Sequence, residues 1–261
     1  MVDSRKDKMY KFRDTVKRKH YHDIPFLPTS AMLYDTSYLE EVIKGYQTLS
    51  VEGREMYSLE FETQDTQMGS VITNAKLPAR VLTVKYKLED KSPELLQEKF
   101  DTLKAFLIRD KDVHIRFKDD LEYYFVGRFQ TADTVPGDTN STVSTFTIYC
   151  QNPFKYGKEQ TSKGKIISEL PYAVKPDIFE IKMLENKLNA TDGNYHLKVS
   201  SAVKGDLLKF DFQRGEVYLN NKKSDNILDL DSDFKNIRLN TGCDFSGSNY
   251  ELKITYRKAV L

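Results

Sequence analysis

A mainly β protein in two modules, with one helix in the first, is what the sequence predicts, and three observations predict it. Most apolar residues recur with period two, as on strands that bury one face. A single stretch breaks into helical spacing. After Tyr156 the chain turns polar with two glycines, "GKEQTSKGK", before alternation resumes. The modules are expected at residues 1–157 and 166–261, joined by a linker at 158–165.

The strands of the first module are legible one by one. In "RVLTVKYKLE", Leu82, Val84, Tyr86 and Leu88 share a face opposite Thr83, Lys85 and Lys87. "DVHIRFK" repeats this with Val113, Ile115 and Phe117, and "YYFVGRF" with Tyr123, Phe125, Gly127 and Phe129. The helix is expected over 92–109. Ser92 is the N-cap, Pro93 takes the first helical position where no N–H is needed, and Leu96, Phe100, Leu103 and Leu107 form an apolar stripe. Along "VSTFTIYC", Phe146, Ile148 and Cys150 share the inward side, and Asn152-Pro153 ends the strand because proline cannot donate to a ladder.

Past the break the chain is almost all strand. "DIFEIKML" alternates Phe179, Ile181 and Met183 against Ile178, Glu180 and Lys182. "LLKFDFQRGEVYLNN" reads as a hairpin turning at Arg214-Gly215, and "YELKITYRK" aligns Tyr250, Leu252, Ile254 and Tyr256. Short strands separated by turn clusters point to a β-sandwich or jelly roll.

Composition excludes several function classes. Of 261 residues, 39% are hydrophobic and 30% charged, as in a globular protein with a core. No stretch reaches the roughly 18 apolar residues of a membrane span, and the charged start "MVDSRKDKMYKFRD" lacks the apolar core of a signal peptide. The net charge of +1 gives no whole-molecule attraction to nucleic acid. Residues 1–22 are a basic arm, with eight Lys or Arg against three Asp, able to meet an acidic patch on a partner subunit or to stay solvated. Two cysteines form no disulfide framework, which suits a reducing site of synthesis. The sequons at Asn140 and Asn189 are chance matches without a secretion route.

Candidate chemistry resolves mostly to structure. Cys150 sits where a core residue belongs, with no histidine near it in sequence to lower its pKa. His20 and His22 straddle Tyr21 without a third ligand, and His114 and His196 are isolated. Asp229, Asp231 and Asp233 begin like a calcium loop, but Phe234 replaces the turn glycine and Asn240 the bidentate glutamate. An acid-capped turn is the expectation there. Glu60 and Glu62 share a strand face, the residue type of a glycoside hydrolase pair, though two solvated carboxylates explain them as well. No catalytic, cofactor or metal residue is assigned.

Particular phrases carry a resemblance. "KGYQTLSVEGREM" (44–56), "LPARVLTVKYKL" (77–88), the 92–109 helix and "FTIYCQNPFKYG" (146–157) stand in an order that resembles the N-terminal domain of distal tail proteins of phages with long flexible tails. "KPDIFEIKM" (175–183), "KGDLLKFDFQRGEVYLNNK" (204–222), "DLDSDFKNIRLNTG" (229–242) and "YELKITYRK" (250–258) resemble that family's C-terminal domain. The resemblance implies a non-enzymatic hub at the distal end of the virion tail, made in the bacterial cytoplasm. It implies a homohexameric ring built by the N-terminal domains and galectin-like C-terminal β-sandwiches projecting outward. The implied partners are the tail tube, the tail-tip protein and receptor-binding protein. The alternative is an adhesion module that recognises cell-wall polysaccharide through the second domain. A ring needs two complementary surfaces on each copy. The stretch 53–80, whose middle is polar and glycine-containing, is the candidate arm, read as a hairpin ordered against a neighbour with a floppy loop as the alternative, and Gly53, Arg54, Glu55, Pro78 and Arg80 are candidate interface residues.

Overall fold

The structure is a computed structural model and describes residues 27–55 and 58–261. The basic arm at 1–22, with His20 and His22, lies outside the described residues. The chain divides into two compact units, Met1–Pro153 and Phe154–Leu261.

Unit 1 contains β1 (Met32–Tyr34), β2 (Ser37–Tyr38), the one-turn helix α1 (Leu39–Val42), β3 (Tyr46–Glu52), β4 (Glu60–Asp65), β5 (Ser70–Lys76) and β6 (Arg80–Glu89). Helix α2 (Pro93–Leu107), β7 (Val113–Phe117), β8 (Asp120–Ala132) and β9 (Ser141–Cys150) follow. The strand order is β3-β6-β9-β8-β7-β1-β2, antiparallel throughout. The first part of β8 pairs with β7 and its last part with β9, so one strand joins two sheets. Gly127 lies at this change of partner: a Cβ there would stand 2.7 Å from the Cys150 sulfur. Helix α2 begins as the sequence predicts, with the Ser92 hydroxyl accepting from the Leu95 N–H at 3.3 Å. Its buried Leu96, Phe100, Leu103 and Leu107 enter the same core as Leu82, Val84, Tyr86, Phe146 and Ile148. Each such side chain contributes about 1.5–3 kcal/mol by leaving water. The expectation of one helix missed α1, because a single turn is too short to display a 3.6-residue period.

Unit 2 carries the antiparallel order β16-β15-β14-β11-β17-β10, from Lys222–Lys223, Glu216–Leu219, Leu207–Asp211, Ile178–Met183, Tyr250–Val260 and Lys155–Ser162 respectively. The expected hairpin is present, with Leu208 opposite Leu219, Phe210 opposite Val217, and Gly215 in the turn at φ +70°. The inner face packs Phe179, Phe210, Phe212, Ile254 and Tyr256 into a separate core. A ribbon of β12 (Leu188–Thr191) and β13 (His196–Val199) adds Leu188, Ala190, Leu197 and Val199 to it. Sandwich-like layering over a shared core is therefore present in this unit.

The linker expected at 158–165 requires correction: up to Ser162 these residues belong to β10, paired with β17. The stretch is polar because only Gly157 of the strand is buried, so backbone pairing rather than alternation makes it a strand. Among the described residues no helix is long and apolar enough to cross a membrane.

Candidate functional site: an exposed arm clamped at its root

Strands β4 and β5 form a two-stranded ribbon in which every residue is exposed. At its tip, the Thr66 N–H and hydroxyl both donate to the Gly69 carbonyl, at 2.9 and 3.1 Å, and Gly69 supplies the required φ of +92°. Pairing runs Glu60–Lys76, Phe61–Ala75, Glu62–Asn74, then, after a bulge at Thr73, Thr63–Ile72, Gln64–Val71 and Asp65–Ser70. Paired residues share a face, so the ribbon is amphipathic. One face holds Phe61, Ala75, Ile72 and Thr63, with Asp65 toward the tip. The other holds Glu60 and Glu62, both near the Lys76 ammonium at 3.6 and 3.7 Å, with Gln64 and the exposed Val71 toward the tip. Phe61 and Ile72 are 53% and 55% exposed, and Met68 at the tip 93%. An isolated two-stranded hairpin is marginal in water. Leaving its apolar side chains wet forgoes about 1.5–3 kcal/mol apiece.

The root of this arm is built firmly. Arg80 is 0% exposed. Its Nε donates to the Pro153 carbonyl at 2.7 Å and its Nη1 to the carbonyls of Gly53 at 2.6 Å and Glu55 at 3.3 Å, while the guanidinium lies 5.3 Å from the Phe125 ring centre. One buried fork thus ties the outgoing limb of the arm to the strand that receives its return and to the end of β9's segment. Gly53 has φ +86°, and a Cβ there would stand 2.2 Å from the Val81 carbonyl oxygen, so no other residue fits. Arg54 lies over Phe117 at 4.1 Å and grips Asp119 through both carboxylate oxygens, at 2.6 and 3.0 Å. Arg80, expected among the interface charges, is placed inside, and Arg54 is already engaged within the chain. Glu55 is exposed, and Pro78 is half-buried in the segment leading into β6. The five candidate residues thus gather around the arm's root, whereas the ribbon itself carries exposed apolar side chains. Sequence reading did not single out Phe61 and Ile72: the alternation of Phe61 with Glu60 and Glu62 was there to find, but parity alone puts Ile72 on the face of Lys76, and only the bulge at Thr73 brings it to the side of Phe61.

Other candidate residues have structural uses. Cys150 is fully buried and burial pushes its thiol up to about 12, the opposite of what a nucleophile needs. Glu60 and Glu62 stand on the exposed ribbon and share a lysine. The aspartates of the 229–233 loop serve β13. Asp233 accepts from the His196 N–H at 2.9 Å, Asp229 from the Ser200 N–H and hydroxyl, and the Ser232 hydroxyl from the Lys198 N–H at 2.8 Å, while Asp231 pairs with the Lys198 ammonium. The loop is a substitute for a third strand, closing an otherwise open edge. Among the described residues no group of three or more His, Cys, Asp or Glu side chains could hold a metal ion. Unit 2 has an open groove of about 1030 Å³. Its walls include Glu180 with Lys253 at 2.9 Å and Glu251 with Lys182 at 4.0 Å. Its one lining aromatic, Tyr250, is buried with its hydroxyl donating to the Phe245 carbonyl, so it offers no ring face to a sugar.

No protein-family model matches the chain. The distal tail protein of Bacillus phage SPP1 is 33% identical over 134 residues, which make up 50% of this chain and 52% of that protein. The chain thus spans about half the length of the curated relative it matches. The crystal structure of that SPP1 protein, titled a paradigm of the hub adsorption apparatus in phages infecting Gram-positive bacteria, matches with a TM-score of 0.72 at 23% identity. The match covers 88% of this chain and 99% of the other. A chain of the phage p2 baseplate matches with a TM-score of 0.48 at 11% identity, over 84% of this chain and 93% of the other. Over about half its length the chain is thus similar in sequence to the SPP1 distal tail protein, and it shares that protein's fold.

Proposed function

We propose that this protein is a structural hub of a phage tail tip, six copies closing into a ring through unit 1. The ring would join the tail tube to the tail-tip and receptor-binding proteins. The observation that carries this reading is the ribbon of β4 and β5, whose Phe61 and Ile72 are exposed among the described residues and whose root is clamped by Arg80. A rigidly rooted arm with exposed apolar side chains suits a head-to-tail contact, since each copy then offers one surface and accepts a different one. Similarity in sequence and fold to the SPP1 distal tail protein supports the same reading. Unit 2, with its two-layer antiparallel arrangement, fits the galectin-like β-sandwich of distal tail proteins. Light scattering on the purified chain tests the ring: the expected mass is six times the 30.3 kDa of one chain. A chain that stays monomeric at every concentration, alone and with its tail-tip partner, overturns it.

A further inference from the structure

If the arm of one copy is covered by another, the covering surface must lie elsewhere on unit 1, an inference that rests on the ring reading above. Among the described residues, unit 1 exposes eight large apolar side chains outside residues 53–80, and four of them (Leu49, Val81, Val143 and Tyr149) stand on the outer face of β3, β6 and β9. The others are scattered over α1, the ends of α2 and the start of β8. On the outer face, β6 and β9 present the cross-strand pairs Val81–Tyr149, Thr83–Thr147, Lys85–Thr145 and Lys87–Val143. Apolar contact is thus available at one end and positive charge further along. The arm's own face has the same order, with Phe61 first, Ile72 with Thr63 next and Asp65 last.

The spacings agree as well. Phe61 to Asp65 and Val81 to Lys85 are each four residues, about 14 Å along a strand. Between Glu60 and Lys76 the arm carries three carboxylates against one lysine, so its charge opposes that of the lysine-bearing face. Lys87 is already held by Glu89 at 2.6 Å, which makes Lys85 the natural partner for Asp65. We propose that the arm of one copy lies along the outer face of β6 and β9 of the next copy. Phe61 packs on Val81 and Tyr149, Ile72 on Thr83 and Thr147, and Asp65 meets Lys85.

Two experiments on the full chain test this, in a Cys243→Ser background. Phe61→Cys protein is mixed with separately purified Val81→Cys protein and treated with a short thiol cross-linker; an interchain dimer is expected in the mixture and in neither variant alone. Asp65→Lys and Lys85→Asp are each expected to weaken assembly about tenfold by placing like charges together, and the double exchange to restore it. Rings that form without the cross-link and without charge rescue overturn this docking surface while leaving the ring reading intact. A monomeric wild-type chain overturns the ring reading, and the docking surface with it. Circular dichroism on each variant confirms that the exposed substitutions leave unit 1 folded.

Discussion

At the scale of single residues, two buried polar side chains set the terms for unit 1. Arg80 places a full charge at zero exposure and donates to the carbonyls of Pro153, Gly53 and Glu55. Hydrogen bonds from a charged donor are worth about 1.5–3 kcal/mol each, and carbonyls left behind without a donor add a penalty. Arg80→Met is expected to destabilise the protein by roughly 3–5 kcal/mol in urea denaturation. Arg80→Lys is expected to recover only part, since an ammonium lacks the planar fork. Glu40 is buried, with one carboxylate oxygen accepting from the Thr48 N–H at 2.9 Å and the other, among the described residues, without a hydrogen-bond partner. Burial raises its pKa. In the window from the ordinary carboxylate pKa up to the raised one, the folded chain keeps a proton that the unfolded chain has lost. Stability therefore falls as pH rises through that window. Denaturation across mildly acidic pH should show that fall, and Glu40→Gln should flatten it.

The elements differ in how much they depend on the rest of the chain. Helix α2 has its stop and start signals in its own sequence: Ser92→Ala is expected to cost about 1 kcal/mol, read as a lowered midpoint of denaturation, because it removes the cap on the Leu95 N–H. The arm is the reverse case. Its cross-strand pairs hold the ribbon together, but among the described residues its Phe61 and Ile72 stay exposed. Replacing Phe61 and Ile72 together by Ser should leave the monomer's denaturation midpoint within experimental error, because neither side chain is buried in the chain. The same double variant should lose the high-mass species in light scattering. A large drop in monomer stability would mean that the arm packs on its own unit instead.

At the scale of the molecule, assembly makes stability depend on concentration. A ring of copies that bind only when folded raises the apparent melting temperature as the protein is concentrated. The wild-type chain should show that rise and the Phe61→Ser/Ile72→Ser variant should not. The separate cores of the two units follow from the alternating strands that the sequence displays. Leu82, Val84, Phe146 and Ile148 fall in one core, and Phe179, Ile181, Phe210 and Ile254 in the other. These positions were legible because side-chain direction along a strand depends only on parity. By itself the sequence thus determined the strand faces, the capped helix and the burial of Cys150. Tertiary structure alone decided that β10 is a strand and not a linker, since its pairing uses backbone groups common to every residue. It also decided that Arg80 is a buried clamp and that Phe61 is exposed. Both inversions share a reason: whether a side chain is inside depends on what other segments bring near it, and a polar fork can be buried wherever carbonyls converge to receive it.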